Sequence, residues 1–251
     1  MKKNNQFYSD IYSYFILKKN INEKTMKKIF SLMRVDSTFM TTSYNRMFDV
    51  NKILKKHIKK YFSKKLIICD FAVSSGQSTL ELFMDLNKNK IDEIYGFDKK
   101  IYITIYQVGK LIFLYSSRNE LLMAEYDKQC LRYRWFFLFK KVEKILPSLF
   151  NKLYLFDLIN IKYKKSKLLI PNLDKIDKMR FFEQDIFNVS KKYFNFFDVI
   201  RVSNLLNFSY FSETKLKKTI LNLKKISKEN SIILINRTPN KQKKNTASFF
   251  I

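Results

Sequence analysis

The spacing of hydrophobic positions changes along this chain, and each change marks an element. Between Asn51 and Lys65, Leu54, Ile58, Tyr61 and Phe62 recur on one side, with Lys52, Lys55, Lys56, Lys59 and Lys60 between them. That spacing predicts an amphipathic helix with a lysine face. An unbroken apolar run, Leu66 to Cys69, follows and stops at Asp70, as a strand buried on both faces of a parallel sheet does. Next come a small-residue turn, Ser74-Ser75-Gly76, and a segment from Ser78 to Asn87 with Leu80, Leu82, Phe83 and Leu86 at helical spacing. Ile94 to Phe97 is then a second strand, ending at Asp98. Strand, helix and strand in that order predict a βαβ unit with a right-handed crossover.

The alternation breaks over about residues 101–165. Ile101 to Tyr106 and Leu111 to Tyr115 predict a hairpin turning at Gly109, and the aromatic, basic stretch from Cys130 to Leu155 has helical character. The pattern resumes with Met179 to Phe182 ending near Asp185, Phe197 to Val202, a helix over about Glu213 to Ile226, and Ser231 to Asn236. Thr246 to Ile251 predicts a last, antiparallel strand on the sheet edge. The expected fold is α/β, a Rossmann-like, doubly wound, mostly parallel sheet. Residues 1–62 form an N-terminal helical region, and residues 63–251 form the sheet domain with an insertion at about 101–165, after the second strand.

Composition narrows the functional classes. With 251 residues, 46% of them hydrophobic, the chain fills a sizeable core and is not an intrinsically disordered segment. The net charge of +27 is large, but it comes with a coding bias. Only three Gly and three Pro stand beside 25 Phe and 15 Tyr, and the basic residues are overwhelmingly Lys rather than Arg, the pattern an AT-rich genome produces. Nucleic-acid faces lean on Arg for bidentate contacts, so net charge by itself speaks to solubility and non-specific association. Two cysteines, Cys69 and Cys130, make neither a disulfide framework nor a zinc site. His57 is the only histidine and sits at the edge of the helix stripe as a surface or packing residue, so neither a histidine metal centre nor a Ser-His-Asp triad is expected. No apolar run approaches the roughly 18 residues that span a bilayer, and the N-terminus has no apolar core with a small-residue cleavage site. A cytoplasmic location is expected.

The informative chemistry is acidic. Asp70, Asp98 and Asp185 each follow a strand, and in an open α/β sheet the ligand crevice lies outside the strand carboxyl ends. Asp70 or Asp98 taken alone reads first as a cap of the following helix, and Asn204 as a turn former; it is the three acids in this spacing that favour a ligand rim. Arg201, inside an apolar strand, is expected to pair with a local carboxylate.

The run Asp70-Phe71-Ala72-Val73-Ser74-Ser75-Gly76 resembles motif I of the class I S-adenosylmethionine (SAM) dependent methyltransferases, Asp/Glu-x-Gly-x-Gly-x-Gly after the first strand. The resemblance implies that Asp70, Ala72, Ser74 and Gly76 belong to the cofactor site, with the turn backing the amino-acid end of SAM. It also implies that Asp98, 22 residues after Gly76, accepts the ribose hydroxyls and that Asp185, with Ile186, receives the adenine. Ala72 and Ser74 replace two family glycines, a change that is tolerated if φ is negative there. Leu168 to Asp185 and Phe197 to Phe211 are similar to the chemoreceptor glutamate methyltransferases, and Asn204 matches the asparagine of that segment. Ser203-Asn204-Leu205-Leu206 stands where amino-directed base methyltransferases carry Asn/Asp-Pro-Pro-aromatic, which implies O- or N-methylation of a small molecule or protein side chain rather than of a DNA base. No metal ligand and no catalytic base is identified. The competing expectation is a non-catalytic protein on the same fold that binds RNA or an anionic membrane. It rests on residues 128–167, with Trp135, Phe136, Phe137 and Phe139 among basic side chains.

Overall fold

The computed structural model describes residues 14–15, 17, 22–35, 38–40, 43–86, 88–109, 111–126, 129–130, 162–206, 211–238 and 246–250. The chain divides into two units, Met1–Thr42 with Lys100–Pro171 and Ser43–Lys99 with Asn172–Ile251.

In the second unit the elements in chain order are helix α2 (Phe48–Tyr61), strand β1 (Leu66–Phe71), helix α3 (Gln77–Asp85), β2 (Ile91–Asp98), β7 (Met179–Glu183), β8 (Phe197–Ser203), helix α4 (Glu213–Ile226), β9 (Ser227–Arg237) and β10 (Thr246–Phe250). The six strands form one sheet in the order β7-β2-β1-β8-β9-β10. All neighbouring pairs are parallel except β9 with β10. The α/β, mostly parallel architecture read from the sequence is therefore present. From β1 the chain winds one way to β2 and β7, then returns to build β8 and β9 on the other side, so the strand order reverses between β1 and β8. Central strands are buried on both faces: every residue of β8 is buried, as are Leu66, Ile68, Cys69 and Phe71 of β1. This is why those segments are predominantly apolar in sequence.

Local signals set the helix ends. Ser212 caps α4 by accepting the Lys215 N–H, Glu213 stands in its first turn and Lys224 and Lys225 in its last, matching the helix dipole at both ends. Helix α2 begins three residues earlier than its apolar stripe suggested and buries Val50, Asn51, Leu54 and Ile58. Tyr61, expected on the buried face, is exposed, because the helix ends there and Phe62 turns extended at φ −125° and ψ 126°.

The first unit holds helix α1 (Glu23–Leu32), capped by the Asn22 side chain on the Thr25 N–H, and strands β3 (Tyr102–Val108), β4 (Leu111–Ser116), β5 (Leu121–Tyr126) and β6 (Lys162–Lys167). They form an antiparallel sheet in the order Gln129–Cys130, β5, β4, β3, β6. The hairpin turning at Gly109 is present, with φ +55° at the glycine. Met26, Ile29 and Phe30 of α1 join Ile103, Ile105, Ile112 and Leu114 in one apolar cluster. The helix expected within 130–155 lies outside the described residues, except that Cys130 pairs as a short strand.

The structure partitions the chain differently from the boundary expected at residue 62. Residues 43–62 belong with the parallel sheet, and the physical reason is polar: Asn51 of α2 is fully buried and hydrogen-bonds Arg201 of β8 and Asp85 of α3. Among the described residues no helix is long and apolar enough to cross a membrane.

Candidate functional site

Where the strand order reverses, the turn after β1 and the end of β8 leave adjacent strands, Phe71 standing opposite Val202. The turn is tied tightly to β2. The Ala72 and Val73 N–H groups both donate to the Phe97 carbonyl, at 2.8 and 3.3 Å. The Ser74 N–H donates to the Asp98 carboxylate at 2.8 Å, and the Gly76 N–H closes the turn on the Val73 carbonyl at 2.7 Å. Gly76 then stands at the N-cap of α3 in the left-handed conformation.

The backbone conformation of this turn is its informative property. Ala72, Ser74 and Gly76 have φ of +62°, +52° and +77°. Every second residue is left-handed, at the three positions where the motif I pattern carries glycine. The expectation that Ala72 and Ser74 are tolerated through a negative φ is corrected: both adopt the glycine conformation. An L-residue held there costs roughly 1–2 kcal/mol, strain that persists only where surrounding bonds over-determine the backbone. The four hydrogen bonds to β2 and within the turn do so here.

Two buried polar atoms at this edge have no partner among the described residues, Ser74 Oγ and Asn204 Nδ2. Asn204 is itself left-handed at φ +57°. Its N–H donates to the Asn236 carbonyl at 2.9 Å, and its Oδ1 accepts the Thr238 N–H at 2.6 Å, so the rigidly held amide presents its NH2 group. Both the turn-forming role and an unfilled hydrogen-bonding site therefore belong to this residue.

Asp70 is not on the rim with the other two acids. It is buried one residue before the end of β1, with Arg201 as its register partner on β8. Arg201 donates to Oδ1 through Nε at 2.8 Å and to Oδ2 through Nη2 at 2.6 Å, and Thr79 Oγ1 donates to Oδ2 at 2.6 Å. The same guanidinium reaches Asn51 Oδ1 at 2.8 Å and the Ser78 carbonyl at 3.0 Å. Arg201 thus pairs with a local carboxylate, as its place in an apolar strand suggested. Together the pair pins the first turn of α3 beneath the loop.

Asp98 and Asp185 come together on neighbouring strand ends. Asp98 stands opposite Glu183, and the Gln184 N–H donates to the Asp98 carbonyl at 2.8 Å. Asp185 follows in a tight turn, its Oδ1 accepting the Phe187 N–H at 2.9 Å. Ile186 is buried in the core with Phe71, Phe97 and Phe197. Sequence reasoning missed Asn51, Thr79 and Asp85 in the buried polar network; the signal for Asn51 was its place three and seven residues before Leu54 and Ile58, on the buried stripe. His57 stacks on Phe249 at 4.5 Å between ring centroids, a packing role. Cys69 is fully buried in β1, and burial, then the charge of Asp70, push its thiol well above its usual range. Among the described residues no group of three or more His, Cys, Asp or Glu side chains is placed to hold a metal ion.

No protein-family pattern and no curated protein matches the chain. Solved structures similar to it at low identity include methyltransferases. A SAM-dependent methyltransferase from Aquifex aeolicus is 14% identical, with 87% of this chain and 73% of that one covered and a TM-score of 0.38. The CurJ carbon methyltransferase is 14% identical over 77% of this chain and 34% of its own, with a TM-score of 0.40. The citrinin polyketide synthase CMeT domain is 12% identical over 76% and 34%, with a TM-score of 0.41. This chain spans about a third of the length of the latter two. None of the three is a chemoreceptor methyltransferase.

Proposed function

We propose that the unit built on the parallel sheet binds SAM along its carboxyl edge, and that the protein transfers a methyl group to an oxygen or nitrogen of a small molecule or protein side chain. The observation that carries this reading is the turn after β1. It holds the left-handed conformation at 72, 74 and 76 although two of these residues are not glycine, and it is anchored by the Asp98 carboxylate. Strained backbone of this kind clusters at ligand sites, where the surrounding structure holds it in place.

The residues present fit the group. The turn supplies the concave backbone, and Ser74 Oγ and Asn204 Nδ2 are buried polar atoms that still need partners, a need a polar ligand meets. Asp98, at the end of β2 beside the turn and already bonded to the Ser74 N–H, is the carboxylate assigned to the ribose hydroxyls. Asp185, preceding the buried Ile186, stands for the adenine. Asp70 acts from below by fixing α3 rather than by touching the ligand. When bound, SAM supplies a methyl already made electrophilic by its sulfonium. The protein's own task is to align that methyl with the acceptor and keep water out. A dedicated base is optional for that transfer. The narrower likeness to chemoreceptor methyltransferases rests on residues 168–185 and 197–211 alone. The non-catalytic alternative differs in one respect that can be measured: it binds no SAM.

Calorimetric titration with SAM is the test. Asp98→Ala loses a charged acceptor contributing about 1.5–3 kcal/mol, a ten- to hundredfold rise in Kd. Asp98→Asn keeps an oxygen for the Ser74 N–H and separates loss of the diol contact from loosening of the turn. Absence of both heat and thermal shift at millimolar SAM with the wild-type protein refutes the proposal.

A further inference from the structure

In the other unit, β6 is an edge strand among the described residues, paired antiparallel with β3. Its sequence, KYKKSK, has four lysines and no acid. The register sets Tyr163 opposite Tyr106, Lys165 opposite Thr104 and Lys167 opposite Tyr102. Cross-strand partners and alternate residues share a face, so Tyr163, Lys165, Lys167 and Tyr102 form one row. Tyr163 is 57% exposed and Tyr102 41%, and Lys165 is exposed. Each ring is nonetheless held in place. Tyr163 packs 6.2 Å from Tyr106, which is buried, and Lys167 Nζ lies 5.9 Å from the Tyr102 ring centroid. Lysines on an edge strand are a common guard against strand pairing, but that guard does not call for two half-exposed tyrosines in the same row.

We propose that this row is a binding face for single-stranded nucleic acid. Tyr102 and Tyr163 stack on unpaired bases, and Lys165 and Lys167, about 6.6 Å apart along the strand, meet successive phosphates. A duplex hides the base faces these rings would use. A membrane surface is met by amphipathic helices that bury Trp, Phe or Leu, whereas the rings of this row carry hydroxyls and lie along a strand. What singles the row out is arrangement, not the excess of lysine that coding bias spreads over the whole chain. The proposal is independent of the SAM reading, which concerns the other unit.

Fluorescence anisotropy with a labelled oligouridine of about 12 nucleotides, within the usual span of such sites, tests it on the full chain. Tyr102→Ala with Tyr163→Ala is expected to weaken binding by about tenfold or more while leaving the salt slope unchanged. Lys165→Gln with Lys167→Gln is expected to reduce the slope of log affinity against log salt by about 1.4. Lys55→Gln with Lys59→Gln, two exposed lysines of α2, is the control and is expected to leave both unchanged. Melting curves verify that each variant is folded. An α2 control as damaging as the strand variants, or tyrosine variants without effect, overturns the proposal and leaves only general polycation binding. Binding to phosphatidylserine vesicles that depends on the tyrosines, without binding to the oligonucleotide, overturns it in favour of a membrane surface.

Discussion

Replacing Arg201 by Met tests how the turn is held. The substitution keeps an unbranched chain inside β8 but removes every hydrogen bond that Arg201 donates to Asp70, Asn51 Oδ1 and the Ser78 carbonyl. Both members of the pair are almost wholly buried, with side-chain exposures of 0% for Arg201 and 2% for Asp70, so the carboxylate left behind has little access to water. Thr79 Oγ1 remains as a single neutral donor. Breaking a buried ion pair from one side costs about 3–5 kcal/mol, against about 0–1 kcal/mol for an exposed pair. Urea unfolding followed by circular dichroism is expected to show a midpoint lowered by that larger amount at unchanged slope. Removing both charges, Asp70→Leu with Arg201→Met, is expected to recover much of the loss, because most of it is the penalty of the abandoned carboxylate rather than the strength of the pair. SAM affinity is expected to fall in the single variant as well, since Arg201 fixes Ser78 in the first turn of α3. A loss below about 1 kcal/mol in Arg201→Met, or a double variant no more stable than the single, refutes this account.

At the turn, Ala72→Gly and Ser74→Gly relieve left-handed strain of roughly 1–2 kcal/mol against about 0.5–1 kcal/mol of added unfolded-state freedom. Each is therefore expected to raise stability by up to about 1 kcal/mol and to retain SAM affinity, whereas Ser74→Leu is expected to abolish binding; destabilised glycine variants in a thermal melt contradict the strain argument. Asp198 concerns acid stability. Burial works to raise its pKa, but the Ile67 N–H, Lys64 and Lys228 outweigh burial and hold it below the ordinary carboxylate value. A depressed folded pKa gives stability that is full above the unfolded value, about 3.9, and lost as pH falls through the folded pKa. Asp198→Asn is thus expected to be less stable at neutral pH and to show a shallower loss below about pH 4, and an unchanged acid limb counts against the assignment.

What was legible in the sequence follows the strength of local patterns. The limits of α4 were readable because Ser212, Glu213 and the terminal lysines mark both ends with charge and capping chemistry. β1 and β8 were readable because burial on both faces makes them mostly apolar, unbroken over Leu66–Cys69 in β1 and interrupted only by Asp198 and Arg201 before Ser203 in β8. Strand β5 was not, because burial of Leu121, Leu122, Met123, Ala124 and Glu125 alike erases the alternation that identifies an antiparallel strand. Strand β6 escaped for the opposite reason: KYKKSK has almost no apolar residue, and its pairing is supplied by β3. Of the acids, Asp98 and Asp185 stand at strand ends as the pattern placed them. The burial of Asp70 was invisible locally because it depends on Arg201, 131 residues away in the chain.

The sequence by itself determined the order of strands and helices from residue 51 to 98 and from 179 onward, the parallel sheet that order implies, and the small-residue turn with its acids, because each is written in short-range periodicity and in backbone preferences of adjacent residues. Only the tertiary structure decided that Ala72 and Ser74 take the glycine conformation, that Asp70 serves as a buried anchor and not as part of the rim, and that residues 43–62 belong to the parallel sheet. Each of these is a compromise between a local preference and contacts made by distant segments: φ at 72 and 74 yields to hydrogen bonds donated to the Phe97 carbonyl and the Asp98 carboxylate, and Asn51 is drawn into the core by a guanidinium 150 residues further along the chain.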